Sequence, residues 1–284
     1  LGNILRQAAR GDDRHSPGGH RHLGAWFAGT LNPWFTMHPS LRHTDHRPWP
    51  LPTQRWSWRQ SWRDLLFAHW PVDAAVLRPL IPEPLEVQQH DGTGWLGIVP
   101  FRMAGVMRRP LPDLPGVSAF PELNVRTYVS YRDRPGVWFF SLDAANRLAV
   151  TGARLLFSLP YHFARMNVAE QPGEGIGYRS QRFGTQPAEF VGTYRPTGPP
   201  QLAVADTLDH WLTERYCLYT TTRSGRLLRA EVHHPPWPLQ PATLELRRNS
   251  MAEPLGIPLV NLPSTLHFSR RIDVVVWNPE PVSC

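Results

Sequence analysis

The sequence predicts a mainly β (α+β) protein: a single antiparallel, barrel-like β domain with a few short peripheral helices. Three observations carry that reading. The 284 residues include 31 prolines, and proline is excluded from helix interiors and central strands, which argues against a helical bundle and leads us to expect many short strands with Pro-rich connections. About a dozen segments alternate apolar with polar side chains, or are rich in β-branched and aromatic residues, between turn signals. So many strands leave many edges, and closure into a barrel removes edges most completely. The length suffices for one substantial core, and 12 tryptophans supply bulky side chains to fill it.

Residues 1–55 stand apart. They hold six of the 13 histidines, clustered Gly and Pro, and no sustained periodicity, and read as a disordered or non-native N-terminal tail. Asp12 and Asp13 interrupt the basic stretch before "LGAWFAGTL", which argues against a signal peptide. The domain is expected over 56–278, with 279–284 as a C-terminal tail. "SWRQSWRDLLFAHWPV" places Trp58, Trp62, Leu65 and Leu66 at helical spacing and predicts a helix. "VDAAVLRPLIP" predicts a short helix capped by Asp73 and stopped near Pro79. "LEVQQHDGTGWLGIVPF" reads as two strands joined at "HDGTG", and "FPELNVRTYVSYRDRPGVWFFSLDA" as a hairpin turned at "RDRPG". A helix is expected around "AANRLAVTGARLLF". Strands follow at "HFARMNVAE", "IGYRSQRF" and "AEFVGTY", then a helix in "VADTLDHWLTERY". A hairpin in "CLYTTTRSGRLLRAEVHH" and strands in "ATLELRR" and "LHFSRRIDVVVW" complete the set.

The chain contains no lysine; all 30 basic residues counted as Lys+Arg are arginine. No side-chain amine exists to form a Schiff base, hold pyridoxal phosphate or act as a P-loop lysine. The two cysteines, Cys217 and Cys284, show no zinc or redox spacing, and their scarcity fits a reducing, cytoplasmic setting. Net charge is +7, but seven arginines against three aspartates sit within residues 1–55. Without an aromatic RNA-binding motif or zinc-finger spacing, no nucleic-acid partner is expected. No apolar run is long enough for a transmembrane helix. The familiar serine-hydrolase, dinucleotide and zincin motifs are missing, and no cofactor is expected. A homo-oligomer stays compatible with the sequence.

Two clusters have the residue types that chemistry needs. Glu122, Asn124, Arg126 and Tyr128 fall on one face of a strand and Leu123, Val125, Thr127 and Val129 on the other. By spacing alone the polar face is either a solvated surface of cross-strand pairs or the lining of a cavity. As a lining, Arg126 pairs with Glu122 or holds a ligand carboxylate in bidentate geometry, and Glu122 serves as acid or base if burial raises its pKa. In "LLRAEVHHPPWPLQ", Arg229, Glu231 and His233 share one face, with Val232 and His234 on the other. His233 is a candidate base beside Glu231. Glu231 and His233 with a remote His69 or His267 are the alternative, as a metal site; the adjacent histidines point to opposite faces and should not share an ion, and no metal is expected. Tyr219 of "TERYCLYT" is a further candidate for contacting a ligand, although aromatic packing explains that segment as well.

The strings "LLFAHWPV", "LRPLIP", "GIVPFRM", "FPELNVRTYV", "GVWFFSLDA", "LTERYCLYT", "EVHHPPWPLQ" and "HFSRRIDVVVW" resemble, in order, the YqjF-like family of bacterial proteins over roughly Trp56 to Trp277. That family is in turn distantly similar to the acetoacetate decarboxylase superfamily. The resemblance implies a barrel around a polar, acid-binding cavity, with the Glu122 face turned inward and Glu122 where the decarboxylases carry a pocket glutamate. It also implies that "WFFSLD" replaces the reactive-lysine strand, which puts Leu142 and Asp143 where the lysines stand. Schiff-base decarboxylation cannot occur here, and similarity of fold does not transfer a reaction. Asp143 is then a third candidate acid or base. The expectation is a barrel cavity that binds or transforms a small carboxylic or carbonyl compound, with Glu122, Asp143 and His233 moving protons and Asn124, Arg126, Tyr128, Tyr219 and Glu231 contacting the ligand. The rivals are a non-catalytic metabolite-binding protein and a structural barrel with a filled interior.

Overall fold

A computed structural model describes residues 37–113, 116–147, 150–152, 157–173 and 175–282. The first long strand, β1 (Trp58–Val72), occupies the segment whose spacing predicted a helix. The cause is a β-bulge. Asp64 takes a left-handed conformation, φ 51°, and the pairing with the next strand slips between Arg63 and Ala68. Trp58, Gln60 and Trp62 face one side before the bulge; Leu65 and Phe67 face the same side after it. One extra residue thus converts period two into an apparent helical spacing. Asp is among the few residues that tolerate this conformation, and Arg270 holds its carboxylate at 2.7 Å.

The remaining elements follow the expected order. Asp73 caps α1 (Ala74–Leu77) through the Ala75 N–H at 2.8 Å. Next come β2 (Glu86–Val87), β3 (Gly94–Arg108), β4 (Phe120–Tyr131) and β5 (Arg134–Ala144). The expected β2–β3 hairpin is replaced: β2 pairs with β4, and only His90 bridges Thr93 across the turn. The helix expected around 144–157 lies partly outside the described residues, and 150–152 are helical. Beyond it are β6 (Tyr161–Gln171), β7 (Gly175–Arg182), β8 (Ala188–Pro196), α2 (Leu208–Thr213), β9 (Cys217–Thr221), β10 (Leu227–His233), β11 (Gln240–Asn249) and β12 (Thr265–Val276). The expected C-terminal tail adds a short strand, β13 (Glu280–Pro281), beside β10.

The sheet closes twice. One ring of nine strands runs β5-β6-β7-β8-β11-β12-β1-β3-β4 and back to β5. A second closes the wall β12-β1-β3-β4-β5 through β9 and β10, because β5 pairs with β9 and β10 with β12. The barrel is mixed rather than purely antiparallel: β5 runs parallel to both β6 and β9. The shared wall therefore has two buried faces. Leu66, Ala68, Ile98, Leu123 and Val125 pack against Tyr178, Phe190 and Tyr194 of the larger ring. Leu65, Phe67, Val99, Phe101 and Leu142 face Val232 and Trp237.

The domain begins before the expected boundary at 56. Residues 37–55 lie over β10, where Arg47 donates to the Val232 carbonyl at 2.6 Å and to Glu231 at 3.1 Å. Trp49 Nε1 reaches Glu231 at 2.7 Å, and His233 bonds the Ser40 carbonyl at 2.7 Å. Leu41 and Leu51 pack with Trp56, Met107, Val275 and Trp277. The histidine- and proline-rich composition concealed these anchors, each of which is a single long-range contact without local periodicity. Residues 1–36 of the expected tail lie outside the described residues.

Candidate active site

The alternation of β4 resolves into two environments. Leu123 and Val125 enter the core of the larger ring, while Glu122, Asn124 and Arg126 turn into a cavity of about 450 Å³ on the other face. Each is at most 8 % exposed, so the polar face is a lining and not a solvated surface. Bulges also keep the neighbouring strands in phase with the cavity. Gly105 in β3 has φ 58°, which lets Val106 follow Met103 on the lining face. The β4–β5 register slips beside Arg126, so that Phe139 and Leu142 both line the space. The exposed lining residues Arg108, Leu111 and Pro112 mark its mouth. Along β3, Phe101 lies opposite Glu122 and Gly97 opposite Arg126, which puts Arg126 farther from the mouth than Glu122.

Two guanidinium groups meet at that inner end. Arg126 Nη2 donates to the Tyr128 hydroxyl at 3.3 Å and to the Leu212 carbonyl at 3.4 Å, and its Nε has no partner. Arg215, between α2 and β9, donates to the Trp211 carbonyl at 2.7 Å and to Gln88 at 2.5 Å, and its Nη2 has no partner. Its guanidinium stacks on Trp211 and Tyr128 at 4.4 and 4.8 Å. Neither arginine forms an ion pair with a carboxylate among the described residues. Burial lowers the Arg215 pKa to about 10, and the neighbouring Arg126 adds to the effect; the group stays charged at neutral pH. The Tyr128 hydroxyl accepts from Arg126, so its proton goes to His69 Nε2 at 2.6 Å. Burial holds His69 well below the ordinary histidine pKa. Asn124 Oδ1, between Glu122 and Arg126 on the lining, is also unpartnered.

Glu122 sits in different company. Its Oε2 accepts from the Tyr161 hydroxyl at 3.0 Å, and it makes no pair with Arg126. Burial pushes its pKa up to about 8, which the Tyr161 bond opposes and Asp143 reinforces. Glu122 is therefore a protonated acid near neutral pH, able to give or take a proton as pH crosses that value.

The other expected site residues lie elsewhere. Asp143 pairs with Leu123 across the β4–β5 ladder and so faces the larger ring, where Arg182 binds it at 3.0 Å. Burial raises its pKa to about 6 against the pull of Arg182. His233 and Glu231 face residues 37–55; burial lowers the His233 pKa to about 4, and Glu231 is held by Arg47, Arg134 and Arg229. The opposite face of β10 supplies Val232 and His234 to the cavity. Tyr219 donates to the Arg134 carbonyl at 2.8 Å, away from the lining. Tyr128 backs Arg126. Arg215, Tyr161, His234 and Trp237 were not expected. Arg215 lies in "TERYCLYT", a segment that aromatic packing explained as well, and the Glu214 beside it accepts the Trp237 N–H at 2.8 Å.

A closed mixed barrel with a lined interior and few short helices defines an acetoacetate-decarboxylase-like fold. The chain belongs to the DUF2071 family, described as an uncharacterized conserved protein, whose model matches residues 59–273. It is 47% identical over 227 residues to the uncharacterized protein YqjF of Bacillus subtilis (strain 168), which covers 80% of this chain and 93% of that protein. Among solved structures it is similar to an acetoacetate decarboxylase, with TM-score 0.54 at 15% identity over 81% of this chain and 90% of the other. The decarboxylase of Legionella pneumophila gives TM-score 0.53 at 14% identity over 87% and 97%. The enduracididine biosynthesis enzyme MppR complexed with pyruvate gives 0.54 at 14% identity over 84% and 93%.

Proposed function

We propose that this protein binds a small organic acid in the barrel cavity and that, where it acts as an enzyme, the chemistry is proton transfer by Glu122 without a covalent amine. The observation that carries this is the pair of buried guanidiniums, Arg126 and Arg215, with no carboxylate partner among the described residues. Two buried like charges without counterions cost the fold free energy, and an anion supplied from outside offsets that cost. Both arginines line the cavity, and a guanidinium suits the planar geometry of a carboxylate. The fold neighbours add support: one is named for acetoacetate, another is complexed with pyruvate. Asn124 and His234 complete the polar lining. An acid held at the inner end places its body toward Glu122, whose raised pKa suits exchange of a proton with a carbonyl or enol oxygen. With no lysine in the chain, the carbonyl stays unbound to protein.

Three tryptophans line the cavity, Trp58, Trp62 and Trp237, so intrinsic fluorescence reports occupancy. Titration with monocarboxylates should quench or shift it in the wild type. In Arg126→Gln and Arg215→Gln the affinity should fall by about tenfold to a hundredfold. Glu122→Gln should keep binding and lose any turnover. Unchanged affinity in both arginine variants would contradict the acid site. Full turnover in Glu122→Gln would remove that residue from the chemistry.

A further inference from the structure

Resting on the acid-binding reading, we infer that the ligand is an elongated amphipathic monocarboxylate, with a medium-chain acyl or aryl body, and not a three- or four-carbon acid. The first ground is the polarity of the cavity. Two guanidiniums, Arg126 and Arg215, sit at the inner end with Phe139 opposite Arg126, and the exposed Arg108 stands at the rim; the walls between them are Trp58, Trp62, Phe101, Phe120 and Phe157. A short acid would leave these faces against water or void, and an apolar body gains their burial.

The second ground is spacing. Glu122 and Arg126 lie four residues apart on one strand, about 13 Å at the usual strand rise. The Arg126 guanidinium turns onward to Tyr128 and Leu212, away from Glu122. A carboxylate held by Arg126 and Arg215 therefore leaves Glu122 beside an atom well down the body of the ligand. Only an elongated molecule touches both ends. The third ground is capacity. About 450 Å³ falls in the roughly 300–1,000 Å³ range that encloses drug-sized ligands. Leu111 and Pro112 at the mouth are exposed, so the apolar end of the ligand lies outward and the carboxylate inward.

The test is calorimetric titration of the full chain with butyrate, hexanoate, octanoate, decanoate, 3-phenylpropionate and pyruvate, with octanol as the uncharged control. Affinity should tighten by about fourfold per methylene while the chain remains inside, roughly two hundredfold from butyrate to octanoate. It should level off once the chain passes the rim at Leu111. Octanol should bind at least tenfold more weakly than octanoate. Pyruvate or butyrate binding as tightly as octanoate would overturn the elongated ligand and leave the acid site standing. Octanol matching octanoate would instead overturn the acid site itself, and binding by none of the series would overturn both.

Discussion

At the residue scale, the proposed acid site sets stability and binding against each other at Arg126 and Arg215. Each is buried and has no carboxylate partner among the described residues, so each carries a desolvation cost that no ion pair there offsets. Replacing Arg126 with Met should raise the melting temperature of the ligand-free protein while removing carboxylate affinity, a trade common at functional sites. Differential scanning calorimetry on both proteins checks it; a lower melting temperature in the variant would mean that the guanidinium is neutralised inside the fold. Glu122 makes a prediction about pH. Its carboxyl is raised from 4.5 to about 8. Below 4.5 both folded and unfolded chains hold the proton. Between these values the unfolded chain releases it first, so folding takes up a proton and stability falls as pH rises, levelling above about 8. Glu122→Gln should flatten that decline, measured by urea midpoints from pH 4.5 to 8.5. The identity of this residue as an inward acid was legible from β4 alternation joined to the family resemblance. The role of Arg215 was not, because it enters from a junction without periodicity and meets Arg126 only after closure of the ring.

At the scale of elements, the cavity depends on bulges. Trp58, Trp62 and Leu65 were legible as one face, but of a helix, because the bulge at Asp64 mimics helical spacing. Pattern alone cannot separate the two when a single left-handed residue shifts the phase. The same device recurs in β3 at Gly105, whose φ of 58° suits glycine and strains other residues. An added Cβ there meets nothing closer than Asp113 Oδ2 at 3.8 Å, so the cost of Gly105→Ala is conformational. It should be about 1 to 2 kcal/mol, read from denaturant unfolding; a neutral change would mean that the bulge relaxes. The 37–55 segment is the other element that composition hid. Its anchors are Arg47, Trp49 and Ser40 on Glu231, Val232 and His233. A chain starting at Trp56 should unfold at lower urea than one starting at Met37, since Glu231 and His233 lose their buried partners. Equal midpoints would show that the segment contributes no stability.

At the scale of the whole molecule, one curved wall serves two interiors. Strands β1, β3, β4, β5 and β12 close through β6, β7, β8 and β11 around a core rich in tyrosine and phenylalanine. They close again through β9 and β10 around the cavity. This division explains why Asp143, one residue along from Leu142, misses the site: successive strand residues enter different interiors. Mainly β class and barrel closure were legible while the parallel pairings of β5 were not, since β6 joins β5 by a crossover with no tight turn to announce it and β9 lies far along the chain. The central claim, that the smaller interior receives an organic acid at two unpaired arginines, is tested most directly by a crystal structure grown with octanoate. The carboxylate should lie between the Arg126 and Arg215 guanidiniums at about 2.7–3.0 Å, with the chain running past Glu122 toward Leu111. A carboxylate bound at the mouth beside Arg108, with the inner guanidiniums untouched, would contradict it.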